Sequence, residues 1–115
     1  MNFTGMLKEG SLKDKVILIT GGGTGLGKAM GKYFMELGAN LIITSRKQDI
    51  LDKTAKEFSE YSGEILPISG DVRNAKEVEQ IIQTSLNKFN KIDVLINNAA
   101  GNFISPTERL TTKAF

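Results

Sequence analysis

The sequence predicts an α/β fold built on a parallel sheet, and three observations lead there. Short apolar runs rich in β-branched residues alternate with longer segments whose apolar residues recur every three or four positions. The connections between them are short, which suits parallel strands joined by crossover helices. The first apolar run ends in a glycine cluster, at the point where the period changes from strand to helix.

The elements follow in order. "KVILIT" (residues 15–20) reads as a buried strand. Leu26, Ala29, Met30, Tyr33, Phe34 and Leu37 then mark one face of a helix, and Gly38 follows as its C-terminal cap. "NLIITS" (40–45) is a second strand, and Ile50, Leu51, Ala55 and Phe58 give a second helical face. "EILPIS" (64–69) is a strand near a sheet edge, because Pro67 has no N–H to donate to a ladder. Asn74, with Glu77 three residues on, has the form of a helix N-cap. Val78, Ile81, Ile82, Leu86 and Phe89 form the third helical face. "IDVLI" (92–96) reads as an apolar last strand, buried on both faces. No linker, repeat or low-complexity segment interrupts the order β-α-β-α-β-α-β.

Bulk properties narrow the function classes. The 115 residues suffice for one small domain. A formal net charge of +2, from scattered basic residues, makes no electrostatic case for nucleic acid or an anionic membrane. There is no cysteine for a disulfide framework and no histidine, the commonest metal ligand and acid–base group. No metal site is therefore predicted. The polar N-terminus lacks the apolar core of a secretory signal, and no run approaches the roughly 18 apolar residues of a membrane span. The expectation is a soluble, intracellular protein, cytoplasmic if bacterial and organellar if eukaryotic.

"TGGGTGLG" (20–27) lies on the first strand-to-helix junction, with Gly21, Gly25 and Gly27 spaced G-x-x-x-G-x-G. A dinucleotide pyrophosphate needs this arrangement. Helix N-terminal N–H groups favour anions, and glycines let backbone approach the phosphates without a Cβ in the way. A flexible turn alone would also use glycines, but the βαβ context favours dinucleotide binding. An NAD-preferring site places an acidic residue about 20 positions on. Here stand Ser45, Arg46 and Lys47, whose cations suit a 2′-phosphate. NADP (NADPH) is the expected cofactor, although a solvated basic turn has the same composition. After the third strand, Asp71 is placed to accept from the adenine amino group with Val72 against the ring; a simple turn cap is the alternative.

"TGGGTGLG", "DV" and "NNAAG", in this order and context, resemble the short-chain dehydrogenase/reductase family from Leu12 onward. The extended form Asn97-Asn98-Ala99-Ala100-Gly101, with "SRK" and "DVR", is similar to the 2,4-dienoyl-CoA reductase branch. The resemblance implies the N-terminal half of a Rossmann-like doubly wound parallel sheet, strand order 3-2-1-4, and NADPH-dependent reduction of a conjugated dienoyl-CoA. It implies a cofactor set of Gly21, Gly23, Thr24, Gly25, Leu26, Gly27, Arg46, Lys47, Asp71, Val72 and Asn98. Arg73 would help hold coenzyme A phosphates, and Phe103 with Ile104 would lie at the mouth of the crevice; packing under a loop is the alternative for Phe103.

The family's catalytic serine, tyrosine and lysine belong to later segments, and Tyr33 and Tyr61 do not stand in for them. No catalytic residue is therefore assigned. Residues 1–115 are expected to form one dinucleotide-binding domain, incomplete at its C-terminal side: an N-terminal fragment of a longer protein, inactive alone, with "LTTKAF" opening a further helix. The fourth strand would leave an open apolar edge, so the chain alone is expected to be marginal or held by a partner. When full length it would be a homo-oligomer acting on a small-molecule acyl-CoA substrate. Another family member acting on a ketone/hydroxyl pair and a non-catalytic nucleotide binder are the alternative readings.

Overall fold

The computed structural model describes residues 10–98. Four strands alternate with three helices: β1 (Val16–Thr20), α1 (Gly25–Glu36), β2 (Asn40–Ser45), α2 (Gln48–Glu57), β3 (Ile65–Ser69), α3 (Ala75–Phe89) and β4 (Val94–Asn97). A single 3-10 turn, Phe58–Glu60, extends α2. The sheet is parallel with order β3-β2-β1-β4, as expected for the first half of a doubly wound fold.

All five residues of β1 are buried, and their alternation divides the core in two. Ile17 and Ile19 pack with Leu41, Ile43, Met35, Leu51 and Phe58, on the face covered by α1 and α2. Val16 and Leu18 pack with Ile42, Val78, Ile81, Ile82 and Ile92, on the face covered by α3. Two helices thus lie on one face and the third on the other. Among the described residues, no helix is long and apolar enough to cross a membrane.

The predicted face of α1 is rotated. Leu26 is 68% exposed, and the buried line is Gly27, Gly31 and Met35, flanked by half-buried Met30 and Phe34. Apolar periodicity marked the flanks of the contact, whereas close packing selected glycine at its centre. A Cβ on Gly31 would come within 2.8 Å of Leu41 Cδ2. The helix ends as expected at Gly38, where φ is +98°. There the Ala39 N–H donates to Phe34 O (3.1 Å) and the Gly38 N–H to Met35 O (3.0 Å), the paired bonds of a Schellman cap.

Pro67 lies on the edge strand, and alternation explains why it is tolerated there. The Glu64 C=O and the Gly70 N–H both bond to β2, whereas the Ser69 N–H points away and donates to Gln48 Oε1 (3.0 Å). Pro67 shares the outward parity of Ser69, so its missing N–H interrupts no ladder. Asn74 caps α3 as predicted, its Oδ1 accepting from the N–H groups of Lys76 (3.0 Å) and Glu77 (3.1 Å).

The last strand departs from expectation. It begins at Val94, which is 41% exposed, and Leu95 and Ile96 are only half buried. Among the described residues β4 is paired on one side only, with β1, so it is the open edge expected of the fourth strand. Asp93, inside the run read as apolar, clamps the strand to β1. Its Oδ2 accepts the Val16 N–H and its own N–H donates to Val16 O, both at 2.8 Å. Burial opposes the charge, but the Val16 N–H, Lys91 and Lys15 together hold this carboxyl below the usual range.

The Gly31 contact is testable. Gly31→Leu forces α1 off the sheet and should lower stability by roughly 1–3 kcal/mol, read as a lower urea midpoint with unchanged slope. An unchanged midpoint would show that α1 does not dock through Gly31.

Candidate functional site

Because the strands are parallel, the loops after their carboxyl ends share one side of the sheet. Residues 21–24, 45–47, 70–74 and Asn98 meet there. The glycine loop leaves β1 through Gly21, whose φ of +69° falls in the left-handed region, and enters α1 at Gly25. Gly27 lies in the tightest place. A Cβ there would collide with the Gly21 carbonyl oxygen and come within 2.8 Å of Asn98 Nδ2. Only glycine fits where these two motifs converge.

Asn98 joins the last strand to this loop. Its backbone N–H donates to Thr20 Oγ1 at 2.8 Å, and its Nδ2 donates to the Gly21 carbonyl at 3.5 Å. Thr20 is fully buried and donates in turn to Asn97 Oδ1 at 3.1 Å. Thr20 was not among the predicted site residues. Its position at the carboxyl end of β1, immediately before the glycines, was the available signal.

The start of α1 is suited to an anion. Thr24, the N-cap, makes no side-chain capping bond, and the first turn holds no acidic residue. The first-turn N–H groups are therefore not taken by their own cap, and the helix dipole is uncompensated. Next to it, Gly21, Gly23, Thr24, Ser45, Arg46, Lys47 and Ile50 line a cleft of about 310 Å³. Arg46 and Lys47 are exposed, and the Ser45 hydroxyl accepts the Lys47 N–H (3.2 Å), shaping the turn that presents them.

The third loop is organised around Asp71. Arg73 folds back on it, with Nε to Oδ1 at 3.1 Å and Nη2 to Oδ2 at 3.2 Å, and the Arg73 N–H adds a bond to Oδ1 at 2.9 Å. These bonds, with the charges of Arg73 and Arg46, hold the Asp71 carboxyl below the usual range despite some burial. The same pairing raises Arg73. Val72 is buried at 7% exposure. The sequence reading gave Asp71 and Arg73 separate ligands, whereas here they are partners.

Of the predicted residues, those of the glycine loop, Arg46 and Lys47 line or border one cleft, and Asn98 packs behind it. Leu26 projects outward at the start of α1. Phe103, Ala99, Ala100 and Gly101 lie outside the described residues. Tyr33 is on α1, and Tyr61 precedes β3, at the amino ends of the strands and away from these loops. Burial, Glu36 and Glu60 raise the Tyr61 phenol, which opposes its ionisation.

The sequence pattern of the short chain dehydrogenases matches residues 15–115. The chain belongs to this family. It is 41% identical over 100 residues to a probable 2,4-dienoyl-CoA reductase of Bacillus subtilis, covering 87% of this chain and 39% of that protein. Over 105 residues it is 42% identical to a peroxisomal 2,4-dienoyl-CoA reductase of Rattus norvegicus, covering 90% and 36%. The crystal structure of a short chain dehydrogenase from Bacillus anthracis superposes with a TM-score of 0.74 at 44% identity, covering 84% of this chain and 39% of that one. The chain thus spans about two-fifths of the length of these relatives. The family binds nicotinamide cofactors of both kinds. An L-sorbose reductase of Gluconobacter frateurii was solved with NADPH (27% identity, TM-score 0.75, 78% of this chain and 35% of that one). A 3-ketoacyl-(acyl-carrier-protein) reductase of Brucella melitensis was solved with NADH (35%, TM-score 0.68, 74% and 34%).

The Asp71–Arg73 pair has a pH signature. The Asp71 carboxyl is depressed in the folded state, so its stabilisation is present above the unfolded value near 3.9 and lost as pH falls through the folded value. Carboxyl NMR titration should show the Asp71 midpoint rising towards the ordinary range in Arg73→Ala. An Asp71 titration indifferent to that substitution would mean that the pair does not form in solution.

Proposed function

We propose that residues 1–115 are the dinucleotide-binding part of an NADPH-dependent reductase that acts on a conjugated dienoyl-CoA thioester in fatty-acid β-oxidation. The observation that carries the cofactor half is the cleft where Arg46 and Lys47 face the glycine loop, with no carboxylate at the end of β2. Two cations there favour a ribose 2′-phosphate, and a carboxylate would favour a free 2′-hydroxyl. The substrate half is supported by the similarity to relatives named as dienoyl-CoA reductases.

In this reading, Gly21, Gly23, Thr24, Gly25 and Gly27 bring backbone N–H groups to the pyrophosphate. The exposed side chain of Leu26 covers the nucleotide, whose adenine sits between Asp71 and Val72. Asn98 holds the wall behind the ribose through Thr20 and Gly21. Bound NADPH supplies the hydride. Arg73 and Phe103 contribute to the acyl-CoA side, and a second copy of the whole protein completes a homo-oligomer. The donors that polarise the thioester and supply the proton lie beyond these residues, so this portion binds without turning over. The setting is cytoplasmic in a bacterium and organellar in a eukaryote, where some similar reductases are peroxisomal.

Calorimetry with NADPH and NADH tests the cofactor half. NADPH should bind more tightly, and Arg46→Ala with Lys47→Ala should weaken NADPH by roughly tenfold or more while leaving NADH nearly unchanged. Equal affinities in the unsubstituted protein would refute the preference. Consumption of NADPH with a 2,4-dienoyl-CoA, but not with a 3-oxoacyl-CoA, by the protein carrying its later segments would establish the substrate half; the reverse would favour the ketone/hydroxyl alternative.

A further inference from the structure

We propose that Thr54 is a positioning residue for the glycine loop, through which α2 sets the geometry of the pyrophosphate site. The inference rests on the dinucleotide reading above and deepens it. Thr54 is 1% exposed, in the second half of α2. Its hydroxyl donates to the Gly23 carbonyl at 2.9 Å, thirty-one residues away in sequence. A buried hydroxyl on a helix ordinarily returns its proton to its own preceding turn. Ser85 does so on α3, bonding Ile81 O at 2.7 Å. Thr54 instead crosses to the loop, and it does not act alone. A Cβ on Gly23 would lie 3.1 Å from Ile50 Cγ2 and 3.5 Å from Leu51 Cδ2, so the middle of the glycine loop is seated on α2.

The hydrogen bond has a directional consequence. In a trans peptide the C=O and the following N–H point in opposite directions. Holding the Gly23 carbonyl towards α2 therefore fixes the Thr24 N–H, a donor at the mouth of α1, facing away from it. The N-terminal end of α2 follows directly on Arg46 and Lys47. One ten-residue helix thus links the turn placed to read the 2′-group with the clamp on the pyrophosphate loop.

The test uses Thr54→Val, which keeps the shape and removes the donor, and Thr54→Ser, which keeps the donor. Both are made in the full chain. Hydrogen exchange of the nucleotide-free protein should show faster exchange confined to residues 22–25 in Thr54→Val and wild-type exchange in Thr54→Ser. Calorimetry should show Thr54→Val weakening NADPH and NADH by the same factor, roughly three- to tenfold, because the pyrophosphate is common to both. A purely structural role would instead raise exchange across the sheet and leave both affinities unchanged below the melting temperature. If wild type binds nucleotide and Thr54→Val matches it in affinity and loop exchange, the inference alone is overturned. If wild type binds neither nucleotide, the dinucleotide reading falls and takes this inference with it.

Discussion

Thr20 ends β1, a central strand buried along its whole length and paired on both sides, and its hydroxyl accepts the Asn98 N–H. This hydrogen bond locks the end of β4 to the end of β1 immediately before the glycine loop begins. Asn98 then reaches the Gly21 carbonyl, and Gly27 must be glycine because it lies against both. A buried hydroxyl in this place is held by low dielectric and dense packing, so its geometry is well defined. Shifting β4 by one residue would remove the bond and turn Leu95 and Ile96 to the wrong faces.

Electrostatics follow from that frame. The uncapped start of α1 supplies partial positive charge, Arg46 and Lys47 supply full charges from the next loop, and Asp71 is the neighbouring carboxylate. Asp71 is not left to neutralise the cleft, because Arg73 occupies both of its oxygens. The pair is partly exposed, so it orders the loop more than it stabilises the fold. A second ion pair, Lys28 with Glu57 at 2.6 Å, links α1 to the end of α2 at the surface.

Much of the fold was legible in the order of residues. Strand and helix periods differ, so alternation was readable, and short connections implied parallel pairing. Pro67 marked an edge, Gly38 a helix end and Asn74 a helix start, because each restricts the backbone or satisfies it by local chemistry. The glycine spacing and the "SRK" turn, which the fold brings to one cleft, were readable for the same reason: backbone approach and charge are properties of residue type at a given spacing.

Other features depend on which atoms meet, and only the tertiary structure decided them. Apolar periodicity assigned Leu26 to the core, but the helix turns Gly27 and Gly31 inwards because its neighbours lie too close for a side chain at those two positions. The apolar run at residues 92–96 concealed Asp93, whose charge is accommodated by a backbone N–H from β1 that no local pattern announces. The hydroxyl of Thr54 lands on Gly23 across a separation set by the packing of α2 on β2 and β3, which no local pattern marks. The sequence by itself determined period, polarity and turn chemistry, since these act within a few residues. Partnerships between distant polar groups were decided by the fold, because burial and distance exist only once the sheet has formed.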